Sequence, residues 1–295
     1  MRAIAEFGSR RRGDSDEYSD NDILIINDDP KARSVITMEL SRLGYSCSSM
    51  SSKQLHFMQC KGSLFLQHLK LEAQILWDDN SQLRIFLDQC NAIPPEQHEL
   101  DRCIQSLGFA LSKIEDDRAR GWQFDFTFCL SRDLLIKKAA QSGRLSFRLR
   151  DIVEFLLVGK DEKINALRAL QDLRTEKSRY RRGLPASTEA THALNTWKEI
   201  ARRSFQMNLS EETFDELLIN RKFSSNYEIL RTIEYLSLTP TCSSKTVVDE
   251  RIKRMIKAPN RYGACQARQA SLLTETLNEL LRERMHRADQ GVSGP

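Results

Sequence analysis

"GSRRRGDSDEYSDNDILII", residues 8–26, is the stretch on which the reading of this chain turns. A glycine-serine step is followed by Arg10, Arg11 and Arg12. After a polar loop, Asp20-Asn21-Asp22 opens an apolar run. That run, "DILIIN" (22–27), is β-branched and apolar and predicts a buried strand. Upstream, "RAIAEF" (2–7) predicts a short strand entering a glycine turn. Downstream, Asp29-Pro30 reads as a helix cap with proline at the first helical position. The helix continues through "KARSVITMELSRLG", with Val35, Met38 and Leu43 among its apolar residues and Gly44 as its stop. "YSCSSM" (45–50) fits a third strand. "SKQLHFMQ" and "SLFLQHLKLEA" read as two short helices, the second capped by Ser63. "QILWDD" (74–79) fits a fourth strand or an extended link.

The charge in the opening stretch has a chemical use. A glycine at position 8 lets the backbone approach a phosphate closely. Amide groups there and the Ser9 hydroxyl can hold the terminal phosphates of a nucleoside triphosphate. Asp20 and Asp22 are two residues apart at the start of a strand, so their carboxylates share one face. Two carboxylates on one face can share Mg²⁺, which binds triphosphate oxygens and offsets charge during in-line attack on the α-phosphate. Arg10 and Arg12, with Arg11 between them, stand where guanidinium groups can reach phosphate.

Gly8-Ser9, ten residues, then Asp20-Asn21-Asp22 resembles the G-S-x10-D-x-D signature of the nucleotidyltransferase superfamily, the minimal nucleotidyltransferases above all. Gly13 and Ser19 match further positions of that loop. The resemblance covers about the first 80 residues. It implies a polymerase-beta-like mixed-sheet domain, Asp20 and Asp22 as catalytic metal ligands, Gly8, Ser9, Arg10 and Arg12 on the phosphates, Mg²⁺ as cofactor and ATP as donor. The chain departs from the pattern in two ways. Active members usually carry a third carboxylate on the strand after the first helix, where this chain has Ser46, Ser48 and Ser49. The usual helix ahead of the first strand is also missing. Asp28, Asp29, Asp78 and Asp79 are the candidate substitutes, with Asp29 read first as a helix cap, Asp28 as a turn residue and Asp78-Asp79 as a surface turn.

Beyond about residue 92 the apolar residues recur at helical spacing. Helices fit 95–118, 127–141, 147–157, 162–173, 187–205, 210–220, 225–237, 245–257 and 267–285. Asp161 is read as the cap of the 162–173 helix, which is expected to bury Ile164, Leu167 and Leu170. Leu272, Leu273, Leu277, Leu280 and Leu281 form a stripe on the last helix. The expected fold class is therefore α+β: a nucleotidyltransferase-like mixed-sheet domain over 1–92, then an all-α domain over 93–295 with a frayed tail at about 287–295.

Charge divides along the same line. Residues 1–92 hold 11 basic and 13 acidic side chains, and the remainder holds 34 and 28. Two basic runs, "RTEKSRYRR" (174–182) and "RIKRMIKAPNR" (251–261), are candidates for triphosphate or nucleic-acid phosphates and, more simply, for solvated helix faces. Minimal nucleotidyltransferases often pair with helical ribonucleases bearing an Arg-x(4–6)-His signature, and no histidine here has that spacing. His68 is read first as helix packing and second as a general base.

Mean hydropathy is −0.50, and no apolar stretch has membrane-spanning length. Seven dispersed cysteines without C-x-x-C spacing suit reduced thiols, and no secretory signal pattern opens the chain. A cytoplasmic location without membrane partners is expected. The first functional expectation is transfer of a nucleoside monophosphate, AMP from ATP, to a hydroxyl on a protein, nucleic acid or small molecule. The alternative is a nucleotidyltransferase-like module that binds nucleotide or a protein partner without turnover.

Overall fold

The computed structural model describes residues 1–13, 20–239, 248, 250–257 and 269–289. The chain divides into two compact units, Met1–Gln97 with Leu135–Leu156, and His98–Leu134 with Leu157–Pro295.

The first unit is built on a four-stranded mixed sheet in the order β3-β2-β1-β4. β1 (Arg2–Phe7) and β2 (Asp22–Asn27) are antiparallel, with Phe7 opposite Asp22 and Arg2 opposite Asn27. β3 (Ser46–Met50) runs parallel to β2, and β4 (Gln74–Asp78) antiparallel to β1. The parallel pair requires a crossover, which α2 (Pro30–Arg42) supplies. The Asp29 side chain accepts from the Lys31 amide, so the Asp-Pro cap forms as the sequence predicts. Gly44, at φ +87°, ends the helix in the left-handed conformation.

Alternation along β1 turns Ala3, Ala5 and Phe7 to one face, where Leu24 and Ile26 join them. Three helices and Cys90 supply the rest of that core: Leu55 from α3 (Ser52–Cys60), Leu66 and Leu69 from α4 (Leu64–Glu72), and Leu83, Phe86 and Leu87 from α5 (Gln82–Asp88), with Cys90 just beyond it. α2 buries none of its residues, and Val35 and Met38 stay exposed, as does Leu43 just beyond it.

The expected boundary near residue 92 is incomplete. α6 (Gln97–Ala110) is followed by α7 (Arg120–Gln141), whose last turns belong with α8 (Leu149–Leu156) to the first unit. Local contacts explain this. Phe147 stacks on His68 at 4.4 Å between ring centroids, and Arg148 donates to the Arg12 carbonyl at 2.9 Å.

The second unit is helical. It holds most of α6, the first part of α7, α9 (Lys160–Arg181), α10 (Glu189–Ser204), α11 (Phe214–Ile219), α12 (Asn226–Leu238), α13 (Glu250–Lys257) and α14 (Ala270–Asp289). Its aromatic centre joins Trp122, Phe214 and Tyr235, with Phe109 stacked on Phe214 at 4.1 Å. Leu273, Leu277 and Leu280 of the predicted stripe on α14 are buried.

Several local expectations change. The helix expected over 95–118 ends at Ala110, and the one expected over 127–141 begins already at Arg120. Gly159, not Asp161, caps α9; Asp161 and Glu162 occupy its first turn, where carboxylates favour the helix dipole. Ile164 is exposed, and the buried face carries Ala166, Ala169, Leu170 and Leu173. α9 does not stop near residue 173 but runs on to Arg181. α14 continues to Asp289, so residues 287–289 are helical, and the rest of the expected frayed tail lies outside the described residues. No described helix is long and apolar enough to cross a membrane.

Candidate functional site

Gly8 follows β1 directly and begins the arginine turn. Its φ of +88° is a conformation that only glycine adopts without strain. A Cβ placed there would lie 2.7 Å from Asp22 Oδ2. The turn α1 (Ser9–Arg12) thus starts with bare backbone against the carboxylate that opens β2. Ser9 is its first helical residue, and Gly13 ends it in the left-handed conformation. Asp20, two residues before Asp22, is exposed. The rest of the loop between the two strands, 14–19 with Ser19, lies outside the described residues.

Gly8→Ala tests this approach. It is expected to destabilise the protein by about 1–3 kcal/mol, because alanine both resists the backbone conformation and meets Asp22. Chemical denaturation measures it, and a loss below a few tenths of a kcal/mol would refute the close packing.

The three arginines do not share one role. Arg10 and Arg11 are exposed, whereas the Arg12 side chain is 11 % exposed. Arg12 Nη1 donates to Glu72 Oε2 at 2.5 Å. His68 Nε2 lies 2.7 Å from the same oxygen and 3.4 Å from Arg12 Nη1. A ring nitrogen that donates its proton to Glu72 has no lone pair left for Arg12, so the longer approach is a contact and not a second hydrogen bond. Burial raises the Glu72 carboxyl, but hydrogen bonds from His68 and Arg12 outweigh it and hold the group below its ordinary value. His68 is itself packed edge-on to Phe7 and flat on Phe147. Arg12 therefore anchors the far end of the turn to α4, while Gly8 packs against Asp22 at the near end.

The four candidate third acids all lie at the other end of the sheet. Asp78 is opposite Ala3 and Asp22 is opposite Phe7, four residues along β1. At ~3.3 Å per residue that is about 13 Å, whereas two oxygens on one Mg²⁺ lie within about 4 Å of each other. Each acid also has structural work. Asp78 accepts from the Leu83 and Arg84 amides at the start of α5. Asp79 pairs with Arg2 at 2.9 Å, and Asp29 caps α2. Asp28 accepts from the Ser52 amide and hydroxyl. Burial works to raise its carboxyl, but those bonds and the N-terminal amine lower it to about 2. The residue beside Asp22 on β3 is Ser46. Among the described residues no three His, Cys, Asp or Glu side chains converge as a metal site. The donor set of Asp20 and Asp22 suits one Mg²⁺ that completes its shell with triphosphate oxygens and water, since Mg²⁺ commonly takes only one or two carboxylates from the protein.

In the helical unit the first basic run is largely spent on internal contacts. Arg181 forms an ion pair with the fully buried Asp125, Tyr180 donates to Glu234 at 2.7 Å, and Arg179 pairs with Glu176. Lys177 lies over the Phe128 ring. In the second run Lys253 pairs with Glu250, and the Arg254 side chain donates to the Glu250 carbonyl. The side chains of Arg251 and Lys257, and residues 258–261, lie outside the described residues.

Sequence reasoning missed Glu72, Arg148 and Phe147 as partners of the motif. "HLKLE" does place His68 and Glu72 one helical turn apart, a spacing at which an imidazole and a carboxylate meet. Compared with family models, with curated proteins and with solved structures, the chain matches none.

Proposed function

We propose that the chain transfers a nucleoside monophosphate from a nucleoside triphosphate, ATP in the first instance, to a hydroxyl acceptor. The observation that carries this reading is the contact between Gly8 and Asp22. It brings a side-chain-free turn against a carboxylate at a strand start, as triphosphate with a bound divalent ion requires. In this reading the Gly8-Ser9 backbone and the Ser9 hydroxyl hold phosphate oxygens, and Asp20 and Asp22 would hold Mg²⁺. When bound, the ion offsets negative charge developing at the α-phosphate. Arg10 and Arg11 face solvent and meet the outer phosphates. Arg12, with Glu72 and His68, fixes the turn.

A second reading, nucleotide binding without turnover, is favoured by a separate observation. Every candidate third acid is held at the other end of the sheet, and a serine lies beside Asp22. One experiment divides the two. The purified chain is given ATP and Mg²⁺ with a cell extract from which nucleotides have been removed, and pyrophosphate release and binding are followed separately. Mg²⁺-dependent binding with transfer to an extract component supports the enzyme. Binding without transfer supports the module. No Mg²⁺-dependent binding rejects both.

A further inference from the structure

The sheet of the first unit ends at β3 on one side and at β4 on the other, and the two edges differ. β4 slips register against β1 between Ile4 and Ala5, an irregularity of the kind that turns an edge away from further pairing. β3 keeps an unbroken register with β2 over Ser46–Met50 and carries no charge and no proline. The Ser46 amide donates to the Asn21 carbonyl at 2.8 Å. In a parallel ladder alternate residues bond the same neighbour, so Ser48 and Met50 also turn their backbone groups to β2. Cys47 and Ser49 turn theirs outward, where no described strand lies. Over this edge α2 packs on both β2 and β3. The Cys47 sulfur lies 3.7 Å from the Thr37 carbonyl oxygen and accepts from the Ser41 hydroxyl at 3.6 Å, which places those two residues on the β3 side of the helix. Ser34 and Met38, each three residues earlier, are rotated about 60° further outward. Both are exposed.

We infer that β3 and α2 form the surface on which two copies of this chain pair about a two-fold axis. The axis passes Ser48, and the two β3 strands run antiparallel across it. Cys47 then lies opposite the partner's Ser49, and Ser49 opposite the partner's Cys47. Each outward amide meets an outward carbonyl of the other copy, because the two outward residues are symmetric about Ser48. Neighbouring strands stand about 4.8 Å apart. With α2 over the seam between β2 and β3, the two α2 helices come about 9.6 Å apart, inside the range of about 8–10 Å at which helices pack. Ser34 and Met38 meet their counterparts there; the serine lets the backbones approach and the methionine fills the gap. Lys31 and Arg42 stand at the solvent rim, with Arg42 paired to Glu39. The strand strip is about 17 Å long, and the helix strip about 20 Å. A stable dimer covers about 800 Å² on each partner, and strips of this length reach the lower end of specific interfaces only together. A second copy supplies both strips at once, whereas a lone peptide strand supplies one and leaves α2 uncovered. A dissociation constant in the micromolar range is expected. The pairing does not rest on the nucleotidyltransferase reading.

Sedimentation velocity of the full chain, from about 1 µM to about 500 µM, is expected to show a reversible monomer–dimer equilibrium. Two variants should weaken it. Ser49→Pro removes the outward amide of each strand and leaves the ladder to β2 intact. Met38→Glu sets carboxylates against each other across the axis. Each should raise the dissociation constant about tenfold or more. Melting curves check both; Met38 is on the exposed side of α2, so its variant keeps the test open where a proline at the edge fails to fold. A third variant reads the register. Ser48 and the partner's Ser48 form a non-hydrogen-bonded pair with Cα atoms about 4.5 Å apart, a separation that a disulfide spans. Ser48→Cys in a Cys47→Ser background should cross-link into a dimer under mild oxidation, with the bridge mapped by mass spectrometry to position 48 of both copies. The inference is overturned if the parent is monomeric throughout, or if it assembles only into species larger than a dimer. It is equally overturned if either folded variant dimerises within twofold of the parent, or if the dimer forms and Ser48→Cys gives no bridge at that position.

Discussion

Asp125→Asn is expected to destabilise the helical unit by about 3–5 kcal/mol, because it breaks a buried ion network from one side only. Asp125 on α7 and Arg231 on α12 are both fully buried, with Arg231 Nη2 2.9 Å from Asp125 Oδ2. Arg181 on α9 pairs with the same oxygen, and Glu234 lies 2.8 Å from Arg231 Nη1. The Arg231 guanidinium also lies over the rings of Trp122 and Phe126 and donates to the Trp122 carbonyl. Neutralising Asp125 removes the carboxylate that both guanidinium groups share, and Arg231, fully buried, cannot replace it with water without opening the helices. Denaturant unfolding followed by far-ultraviolet circular dichroism measures the loss. An unchanged midpoint would mean that the network contributes nothing.

The same residue sets a pH dependence. Burial works to raise the Asp125 carboxyl, but the charges of Arg231, Arg181 and Lys177 prevail and hold it below its ordinary value of 3.8. A carboxyl depressed in the folded state contributes stability that is present above the unfolded value and is lost as pH falls through the folded one. The Asn variant should therefore be less sensitive than the parent to acid below about pH 4. The network also bears on nucleic acid as an acceptor. Arg181 is paired with Asp125 and Arg179 with Glu176, so part of the charge of the "RTEKSRYRR" run is already matched within the helical unit.

The elements that local chemistry fixes were legible in the sequence. β2, α2 and β3 follow from an apolar run, an Asp-Pro cap and a glycine stop, each acting within a few residues. The sequence asked for a bare backbone at Gly8 so that it could approach phosphate; that this glycine packs against Asp22 was not read from it. What could not be read depended on partners distant along the chain. Arg12 looks like Arg10 and Arg11 until Glu72, sixty residues away, claims it. Arg148 meets Arg12 across 136 residues, so the membership of Leu135–Leu156 in the first unit leaves no local trace. Asp78 resembles a free surface acid because its capping role depends on a turn through Asn80 and Ser81, both at positive φ without glycine. α9 outran its expected end because Leu173 and Glu176 are buried by tertiary packing, and Tyr180 is held by Glu234.

Asp22→Asn separates the candidate site from its surroundings more cleanly than any larger change. Asparagine has nearly the same shape, so the packing of Gly8 against this side chain and the pairing of Asp22 with Phe7 should survive. The lost feature is the charge that a divalent ion needs. Residues that only support a metal ligand typically cost 10–100-fold when changed, so the ligand itself should cost about a hundredfold or more in Mg²⁺-dependent ATP affinity. Asp20→Asn should lower the affinity in the same direction. The complementary change is Ser46→Asp. Ser46 is the β3 partner of Asp22, and adjacent strands are about 4.8 Å apart. An acid there stands next to Asp22. Without an ion the two carboxylates repel, so the variant should melt lower in a chelator, and Mg²⁺ with nucleotide should restore the difference. If a missing carboxylate is what limits turnover, Ser46→Asp should raise pyrophosphate release about a hundredfold or more, in line with the size of general-base effects. Equal ATP affinity for the parent and Asp22→Asn would remove the metal site. Full turnover in the parent, with no gain from Ser46→Asp, would show that the chain already completes its site without an acid on β3.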